Sequence, residues 1–170
     1  MIVILMGLSA RRVQAAESYT QAFQNKTLTL SGKSVEANMY FTKMDYWHVK
    51  KATFNFNFQI SQLASRQTSD ITVSLNGVAF YSFRPKKTLG IQSEQIKMPV
   101  NLLSGENELR VKGQVLGEDP KDPTSALAQT PATWLTIEDV SNLTFDFDLK
   151  EVDTTLASFY AHFSGQDMVT

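Results

Sequence analysis

The sequence predicts a two-layer β-sandwich of about eight antiparallel strands, and three observations support this prediction. Apolar and polar residues alternate from Leu28 onward, which places one set of side chains on each face of a strand. Turn residues such as Asn76-Gly77 separate the alternating segments. Helical spacing is scarce, and only residues 60–66 favour a brief turn. Short strands separated at regular intervals by turns are typical of a sandwich.

Segment 53–60 shows the alternation most clearly. Phe54, Phe56 and Phe58 share one face of this strand, and amide side chains occupy the other face. The Phe face is predicted to be core, because one buried aromatic side chain removes roughly 150–250 Å² from water. The other alternating segments are 71–75, 78–83, 96–100, 108–115, 133–137 and 143–149. Half-buried antiparallel strands produce this pattern, since one face packs and the other is hydrated.

The residues between these segments have turn chemistry. Asn76-Gly77 follows segment 71–75 directly, and this pair favours the φ > 0 geometry of a type I′ hairpin. Segment 104–107 precedes the strand predicted at 108–115, and segment 117–123 is a polar, proline-containing loop. The turns therefore agree with the strands about where the chain reverses.

Composition excludes several classes of function. The 16 Lys and Arg residues against 17 Asp and Glu leave a net charge of −1, so no basic surface is expected for nucleic-acid phosphates. The absence of cysteine excludes disulfides, thiolate catalysis and Cys-ligated metals. His48 and His162 lie far apart in sequence, which argues against a His-rich catalytic metal site. We therefore expect neither a metal nor a cofactor.

The carboxylates do not predict an enzyme either. Glycoside hydrolysis needs two carboxyl groups roughly 5–9.5 Å apart, and the spacing of Asp146, Asp148, Glu138 and Asp139 does not predict such convergence. The G-x-S-x-G nucleophile motif is absent from the sequence. Segment 118–122 offers oxygen ligands for calcium but lacks the EF-hand pattern. We expect no catalytic residue.

The two ends of the chain depart from the sandwich pattern. Residues 2–10 form an apolar or small run that is too short to span a bilayer, and small residues follow at 13–15. This predicts a signal peptide over residues 1–16, and hence export; a buried N-terminal strand is the alternative. Residues 153–170 lose the alternation. The sandwich is therefore predicted over residues 22–150, with a linker over 151–170.

Aromatic residues beside hydrogen-bonding groups indicate a candidate sugar site, because a glucan presents apolar ring faces and a rim of hydroxyls. Segment 39–48 contains Tyr40, Asp45, Tyr46 and Trp47 and is predicted to be largely loop. The alternative for Trp47 is that it plugs one end of the sandwich.

Trp134 is a second candidate. If Leu135 and Ile137 point inward, Trp134 points outward, where it could stack on a sugar or on a neighbouring domain. The outer rows of the strands could bind hydroxyls or form a plain hydrated face. These rows contain Asn55, Asn57, Gln59, Thr144, Asp146 and Asp148.

Five motifs occur in a recognisable order: 28–32, 40–52, 74–78 with 81–84, 102–107, and 133–137 with 141–142. Together they resemble the first domain of the extracytoplasmic B subunit of bacterial cellulose synthase, over roughly residues 28–163. The resemblance implies a jelly-roll, galactose-binding-domain-like sandwich without catalytic activity. It implies association with the membrane-embedded catalytic subunit, which polymerises UDP-glucose, and weak contact with the nascent β-glucan outside the membrane.

The resemblance also implies a periplasmic or extracellular location, membrane association through the complex rather than through this chain, and a flavodoxin-like domain after the linker. The family has carried a cyclic-di-GMP label, but the nucleotide site belongs to a PilZ-type domain of the partner. That site needs Arg-x-x-x-Arg followed by Asp-x-Ser-x-x-Gly. Asp139 and Ser141 begin the second half, but Thr144 replaces its glycine and no Arg pair has the first spacing. We expect no direct nucleotide binding. A free-standing carbohydrate-binding lectin and a hydrolase remnant are the alternative functions.

Overall fold

The computed structural model describes residues 16–32, 34–86, 89–117 and 133–149, and these form two antiparallel sheets packed face to face. A single 3₁₀ turn, Val100–Leu102, accompanies the strands in this part of the chain. The strands are β1 (Glu17–Ala22), β2 (Leu28–Ser31), β3 (Ser34–Thr42), β4 (Trp47–Ile60), β5 (Asp70–Leu75), β6 (Val78–Phe83), β7 (Gln92–Met98), β8 (Glu106–Gln114), β9 (Trp134–Ile137) and β10 (Asn142–Leu149).

Sheet 1 has the order β1-β10-β4-β9-β2, with β7 on the other edge of β4. The register shows that β9 and β10 lie end to end along one edge of β4, because Ile137 pairs with Phe58 and Asn142 pairs with Asn55. β1 and β2 continue this arrangement along β10 and β9. Sheet 1 therefore has four rows of strands. With the four strands of sheet 2, the ten strands of the described residues occupy eight rows, and the predicted antiparallel two-layer sandwich is confirmed.

A serine joins β9 to β10 across the interruption between them. Ser141 is fully buried, and its Oγ accepts a hydrogen bond from the Asn57 backbone N and donates one to the Asn57 O, both at 3.0 Å. The Glu138 N also donates to the Asn57 O, at 2.9 Å. Buried backbone groups need such partners. The hydroxyl thus replaces the strand pairing that the interruption removes.

The predicted Phe face is the core. Phe54, Phe56 and Phe58 are at most 1% exposed, and the rings of the last two stack with centroids 4.8 Å apart. Leu143, Phe145 and Phe147 of β10 face the same interior. Alternation along neighbouring strands directs both rows toward sheet 2, so their burial stabilises the packing of the two sheets.

Sheet 2 has the order β3-β8-β5-β6. Its β5–β6 hairpin turns at Asn76 and Gly77, whose φ values are 50° and 80°. Positive φ at both central residues is the type I′ geometry, so the predicted hairpin is confirmed. Val73 and Leu75 alternate inward from β5 and are fully buried.

Three sequence expectations differ from the structure. Residues 39–42 belong to β3 rather than to a loop, because they pair in register with residues 106–109 of β8. Val100 lies in the 3₁₀ turn, since Pro99 cannot donate a ladder hydrogen bond and ends β7. β1 begins at Glu17, ahead of the predicted domain start at residue 22. The signal peptide predicted over residues 1–16 lies outside the described residues except for Ala16. The calcium-binding alternative at 118–122 and the linker over 151–170 lie outside them entirely.

Candidate functional site

The five predicted site residues do not form one site. Trp47 is the first residue of β4. Trp134 lies beside the other end of this strand, where the backbone N of Ser61 donates to the Trp134 O at 3.0 Å. β4 has 14 residues. At about 3.3 Å per residue, a strand of that length separates the two indoles by roughly 40 Å. Tyr40, Asp45, Tyr46 and Trp47 share one end of the sandwich, and Trp134 lies at the other.

Trp47 closes the end of the sandwich at which it lies. Its half-buried ring stacks on Phe147 with centroids 4.3 Å apart and an interplanar angle of 17°. The ring centroid of Tyr19 lies 5.2 Å from that of Trp47. An aromatic pair of this kind contributes about 0.5–1.5 kcal/mol beyond area burial. The arrangement favours the plug that the sequence left as an alternative to a sugar platform.

Tyr40 stands on the outer face of sheet 2 and is 71% exposed. It borders a depression of about 460 Å³, which we call the Tyr40 depression, lined also by Phe41, Thr42, Asn76, Glu106, Asn107 and Glu108. The Tyr40 hydroxyl donates to Glu108 Oε1 at 3.4 Å. This contact restrains the ring without covering it. An exposed aromatic face thus lies beside carboxylate, amide and hydroxyl groups.

An arginine on the same face holds one of these carboxylates. The NH2 group of Arg110 donates to both oxygens of Glu108, at 3.0 and 3.2 Å, and Nε lies 3.4 Å from Glu36 Oε1. The hydrogen bond to Glu108 and the charges of Glu108 and Glu36 raise the pKa of Arg110 above its ordinary value. The carboxylate of Glu108 is therefore oriented and partly neutralised, while Glu106 stays exposed as an acceptor.

Two asparagines build the floor of the Tyr40 depression. Asn76 Nδ2 donates to the Leu102 O at 2.8 Å and to Asn107 Oδ1 at 3.0 Å, while Asn76 Oδ1 accepts from the Glu108 N at 2.8 Å. Asn107 is 4% exposed and donates to the Ser104 O at 2.9 Å. These bonds tie the hairpin turn to the loop before β8, so the depression is rigid.

Sequence reasoning identified Tyr40 and missed its partners. It interpreted Asn76 and Asn107 only as turn residues and did not select Glu106 or Glu108. The available signal was the alternation of β8, which places Glu106, Glu108 and Arg110 on one face. Only the pairing of β8 with β3 brings that face beside Tyr40, in direct register with Glu108.

Asp45 and Tyr46 lie in the turn between β3 and β4, and both are exposed. The Trp47 N donates to the Met44 O at 3.0 Å and closes this turn. The Lys43 N donates to the Gly105 O at 2.8 Å, which connects the turn to the loop before β8. Asp45 and Tyr46 are therefore at the same end as the Tyr40 depression, although neither lines it.

Trp134 has the predicted orientation. Leu135 and Ile137 are fully buried, and alternation places the half-buried Trp134 on the outer face of sheet 1, in register with Ser31 of β2. This placement leaves both of its proposed partners, a sugar and a neighbouring domain, as predictions.

The outer face of sheet 1 carries the predicted polar rows. We call its central part the amide face, comprising Asn55, Asn57, Ser93, Gln95, Asn142 and Thr144. Asn55 Nδ2 donates to Asn142 Oδ1 at 2.9 Å, and Ser93 Oγ donates to Asn57 Oδ1 at 2.6 Å. Because these side chains bond to one another across strands, the arrangement favours a plain hydrated face over a sugar-binding one.

The geometry does not suggest acid–base chemistry. Glu106 is exposed, and the carboxylate of Glu108 is paired with Arg110. Across residues 16–32, 34–86, 89–117 and 133–149, no group of three or more His, Cys, Asp or Glu side chains could hold a metal. Nor does that part of the chain contain a helix long and apolar enough to cross a membrane.

Comparison with protein families gives a match over most of the chain. The family described as "Cellulose synthase BcsB, first CBM domain" matches residues 13–149, where CBM denotes a carbohydrate-binding module. The matched range contains every strand of both sheets and all five predicted site residues. No curated protein sequence matches the chain significantly.

Several solved structures are similar at low sequence identity. Dimeric latent PorU from Porphyromonas gingivalis is 13% identical with a TM-score of 0.49, and covers 85% of this chain. The chain spans only 14% of that protein. TmCBM61 in complex with β-1,4-galactotriose is 10% identical with a TM-score of 0.41, covering 76% of this chain and 88% of its own. The structure of the infectious bursal disease virus Gx strain is 10% identical with a TM-score of 0.35. The match covers 96% of this chain and 52% of the viral chain.

Proposed function

The chain belongs to the family of the first carbohydrate-binding-module domain of cellulose synthase BcsB, and from this premise we propose that it is a non-catalytic module of a bacterial cellulose synthase complex that contacts nascent glucan. The family match over residues 13–149 carries the proposal. BcsB is an accessory rather than a catalytic subunit family. The proposed partner is the membrane-embedded catalytic subunit, and the proposed location is the outer side of the cytoplasmic membrane.

The proposed contact with glucan is the Tyr40 depression. A pyranose ring can lay its apolar face on the exposed ring of Tyr40, while its hydroxyls donate to Glu106 and to the oriented carboxylate of Glu108. Thr42 adds a hydroxyl that both donates and accepts. Arg110 already offsets the charge of Glu108. The carboxylate can therefore accept a hydrogen bond from an uncharged ligand without an additional cation.

Weak contact suits this role. A polymer that leaves a synthase must move past each binding group, so a rapidly dissociating contact guides the chain without retaining it. One aromatic platform with a few exposed hydrogen bonds meets that condition, since much of the gross contact energy offsets lost mobility and desolvation. The module would orient the glucan and make no covalent bond to it.

Retention of the full chain on insoluble cellulose tests the contact. Tyr40→Ala should lower retention about fivefold to tenfold, because it removes the platform. Tyr40→Phe keeps the ring and should stay within about twofold of wild type. Unchanged melting temperatures would show that both variants fold. Equal retention of wild type and Tyr40→Ala would exclude this depression as the contact.

Co-purification tests the partner. A tagged chain expressed with a cellulose synthase catalytic subunit and its accessory domains should recover the synthase in detergent, and the Tyr40→Ala variant should recover as much. Retention on cellulose without recovery of the synthase would instead support the free-standing lectin. Release of soluble sugar from cellulose by the purified chain would contradict the non-catalytic role.

A further inference from the structure

A second concavity lies at the side of the sandwich, where the edge strands of the two sheets meet. β6 is the edge of sheet 2, and β7 is an edge row of sheet 1. The concavity measures about 310 Å³, within the range of about 300–1,000 Å³ typical of small-ligand pockets. We call it the edge pocket. Its lining includes Phe83, Lys86, Ile91, Gln92, Ser93 and Glu94.

The floor of the edge pocket is apolar. Phe83 is half-buried and meets Phe58 edge to face, with ring centroids 5.6 Å apart. Phe58 is 1% exposed and belongs to the core, so the floor is backed by fixed side chains. Ile91 stands at the pocket and is 52% exposed. An aromatic floor with an exposed aliphatic side chain suits the C–H face of a ring.

The rim of the edge pocket is polar and internally neutralised. Lys86 Nζ lies 3.1 and 2.9 Å from the two oxygens of Glu94, and the Tyr81 hydroxyl donates to Glu94 Oε1 at 3.4 Å. The Lys86 N donates to Gln92 Oε1 at 2.8 Å, which holds the lysine backbone against β7. The hydrogen bond to Glu94 and the charge of Glu94 raise the pKa of Lys86 above its ordinary value.

This neutral rim selects the chemistry of a ligand. The side chain of Lys86 is 71% exposed and that of Glu94 is 15% exposed. An anionic ligand would be repelled by the carboxylate of Glu94 and would have to compete with it for the Lys86 ammonium. A hydroxyl can donate to a free lone pair of Glu94 or accept from Lys86 without separating the pair. The rim therefore favours an uncharged, hydroxyl-rich molecule, and the floor favours one with an apolar ring face.

We propose that the edge pocket binds one ring of a neutral saccharide, separately from the Tyr40 depression. The identification of a saccharide rests on the proposed function. The pocket lies at the Phe83 end of β6, whereas the depression lies beyond Val78 at the opposite end. The six residues of β6 extend roughly 17–20 Å. The two sites are therefore distinct, and the pocket accepts a ring rather than a long stretch of polymer.

Titration of the full chain with cellobiose, followed by amide NMR, tests this proposal. Cellobiose should shift the amide signals of Phe83 and residues 91–94. Ile91→Ser should weaken the affinity about tenfold, because it removes apolar contact from the pocket. Leu89→Ser is the matched control, since Leu89 is also an exposed aliphatic residue of this segment but does not line the pocket, and it should leave the affinity unchanged. Melting temperatures check the folding of both variants.

A charged analogue tests the neutrality of the ligand. Cellobiuronic acid, which replaces one hydroxymethyl group by a carboxylate, should bind about fivefold more weakly than cellobiose, because the carboxylate of Glu94 repels it. Equal affinity for the two sugars, or an absence of shifts at residues 91–94, would overturn the proposal.

Failure of the edge pocket is distinguishable from failure of the proposed function. Tyr40→Ala should leave the cellobiose shifts at residues 91–94 unchanged while it lowers retention on cellulose. Loss of those shifts in Tyr40→Ala would show that the edge pocket and the Tyr40 depression are one site, and would contradict the proposal. Recovery of the synthase by co-purification does not depend on either result.

Discussion

The outer faces of the two sheets come from the same alternating pattern but have different chemistry. On sheet 1, the side chains of the amide face hydrogen-bond to one another: Asn55 to Asn142, and Ser93 to Asn57. On sheet 2, Tyr40 is largely exposed, and the charges of Glu108 and Arg110 are arranged beside it. A polar outer row by itself therefore indicates only that this face of the sheet is hydrated. Binding capacity requires exposed aromatic area and acceptors that other side chains have not already used.

The core that both faces share gives the largest expected effect. Phe56→Ala should lower the free energy of unfolding by about 3–5 kcal/mol, because the fully buried ring stacks on Phe58 and packs against Phe54, and its loss leaves a cavity. Chemical denaturation with an unchanged m-value is the measurement. A change below about 0.5 kcal/mol would reverse the assignment of inner and outer faces.

The hairpin asparagine of sheet 2 should matter more than an amide of sheet 1. Asn76→Ala should cost about 1–3 kcal/mol, since it combines the loss of bonds to Leu102 and Asn107 with a positive φ that alanine disfavours. Asn55→Ala, on the amide face, should cost under about 1 kcal/mol. Urea unfolding of both variants makes the comparison.

A glycine variant separates the two contributions at the hairpin. Asn76→Gly keeps the positive φ at little steric cost and removes only the side-chain bonds, so its loss of stability should be smaller than that of Asn76→Ala. Equal costs for Asn76→Ala and Asn55→Ala would mean that the floor of the Tyr40 depression is no more rigid than the amide face.

Retention on insoluble cellulose should distinguish the faces as binding surfaces. The double variant Asn55→Ser, Gln95→Ser keeps a polar surface but disturbs the amide face, and its retention should stay within about twofold of wild type. Tyr40→Ala should lower retention more than the double variant does. The reverse order would move the proposed glucan contact to sheet 1.

The smallest expected effect is electrostatic and confined to sheet 2. Arg110→Met should lower the melting temperature slightly, and the difference from wild type should shrink at high salt, because the pairs with Glu108 and Glu36 are partly exposed. The raised pKa of Arg110 makes this contribution complete below its ordinary pKa, to be lost only as pH rises through the folded-state value. Between pH 6 and 9 the difference should therefore stay constant. Melts at low and high salt, and across that pH range, provide the check.

The two tryptophans show how far sequence reasoning reached. Alternation gave the orientation of Trp134 correctly, because Leu135 and Ile137 are its immediate neighbours in one strand. It could not resolve plug from platform for Trp47, since the ring that stacks on it belongs to Phe147, a hundred residues later in the chain. Local periodicity reports a face of a strand, whereas it does not report which strand lies next to it.

The sequence by itself determined the class of this protein: alternating strands with Phe-rich inner faces, a type I′ hairpin at Asn76-Gly77, and the family resemblance that the match over residues 13–149 confirmed. Only the tertiary structure decided that β9 and β10 share one edge of β4, that Trp47 and Trp134 lie at opposite ends, and that Glu108 lies beside Tyr40. The physical reason is that strand pairing between distant segments is set by the packing of the whole core, while the pattern within each segment depends only on which face is buried.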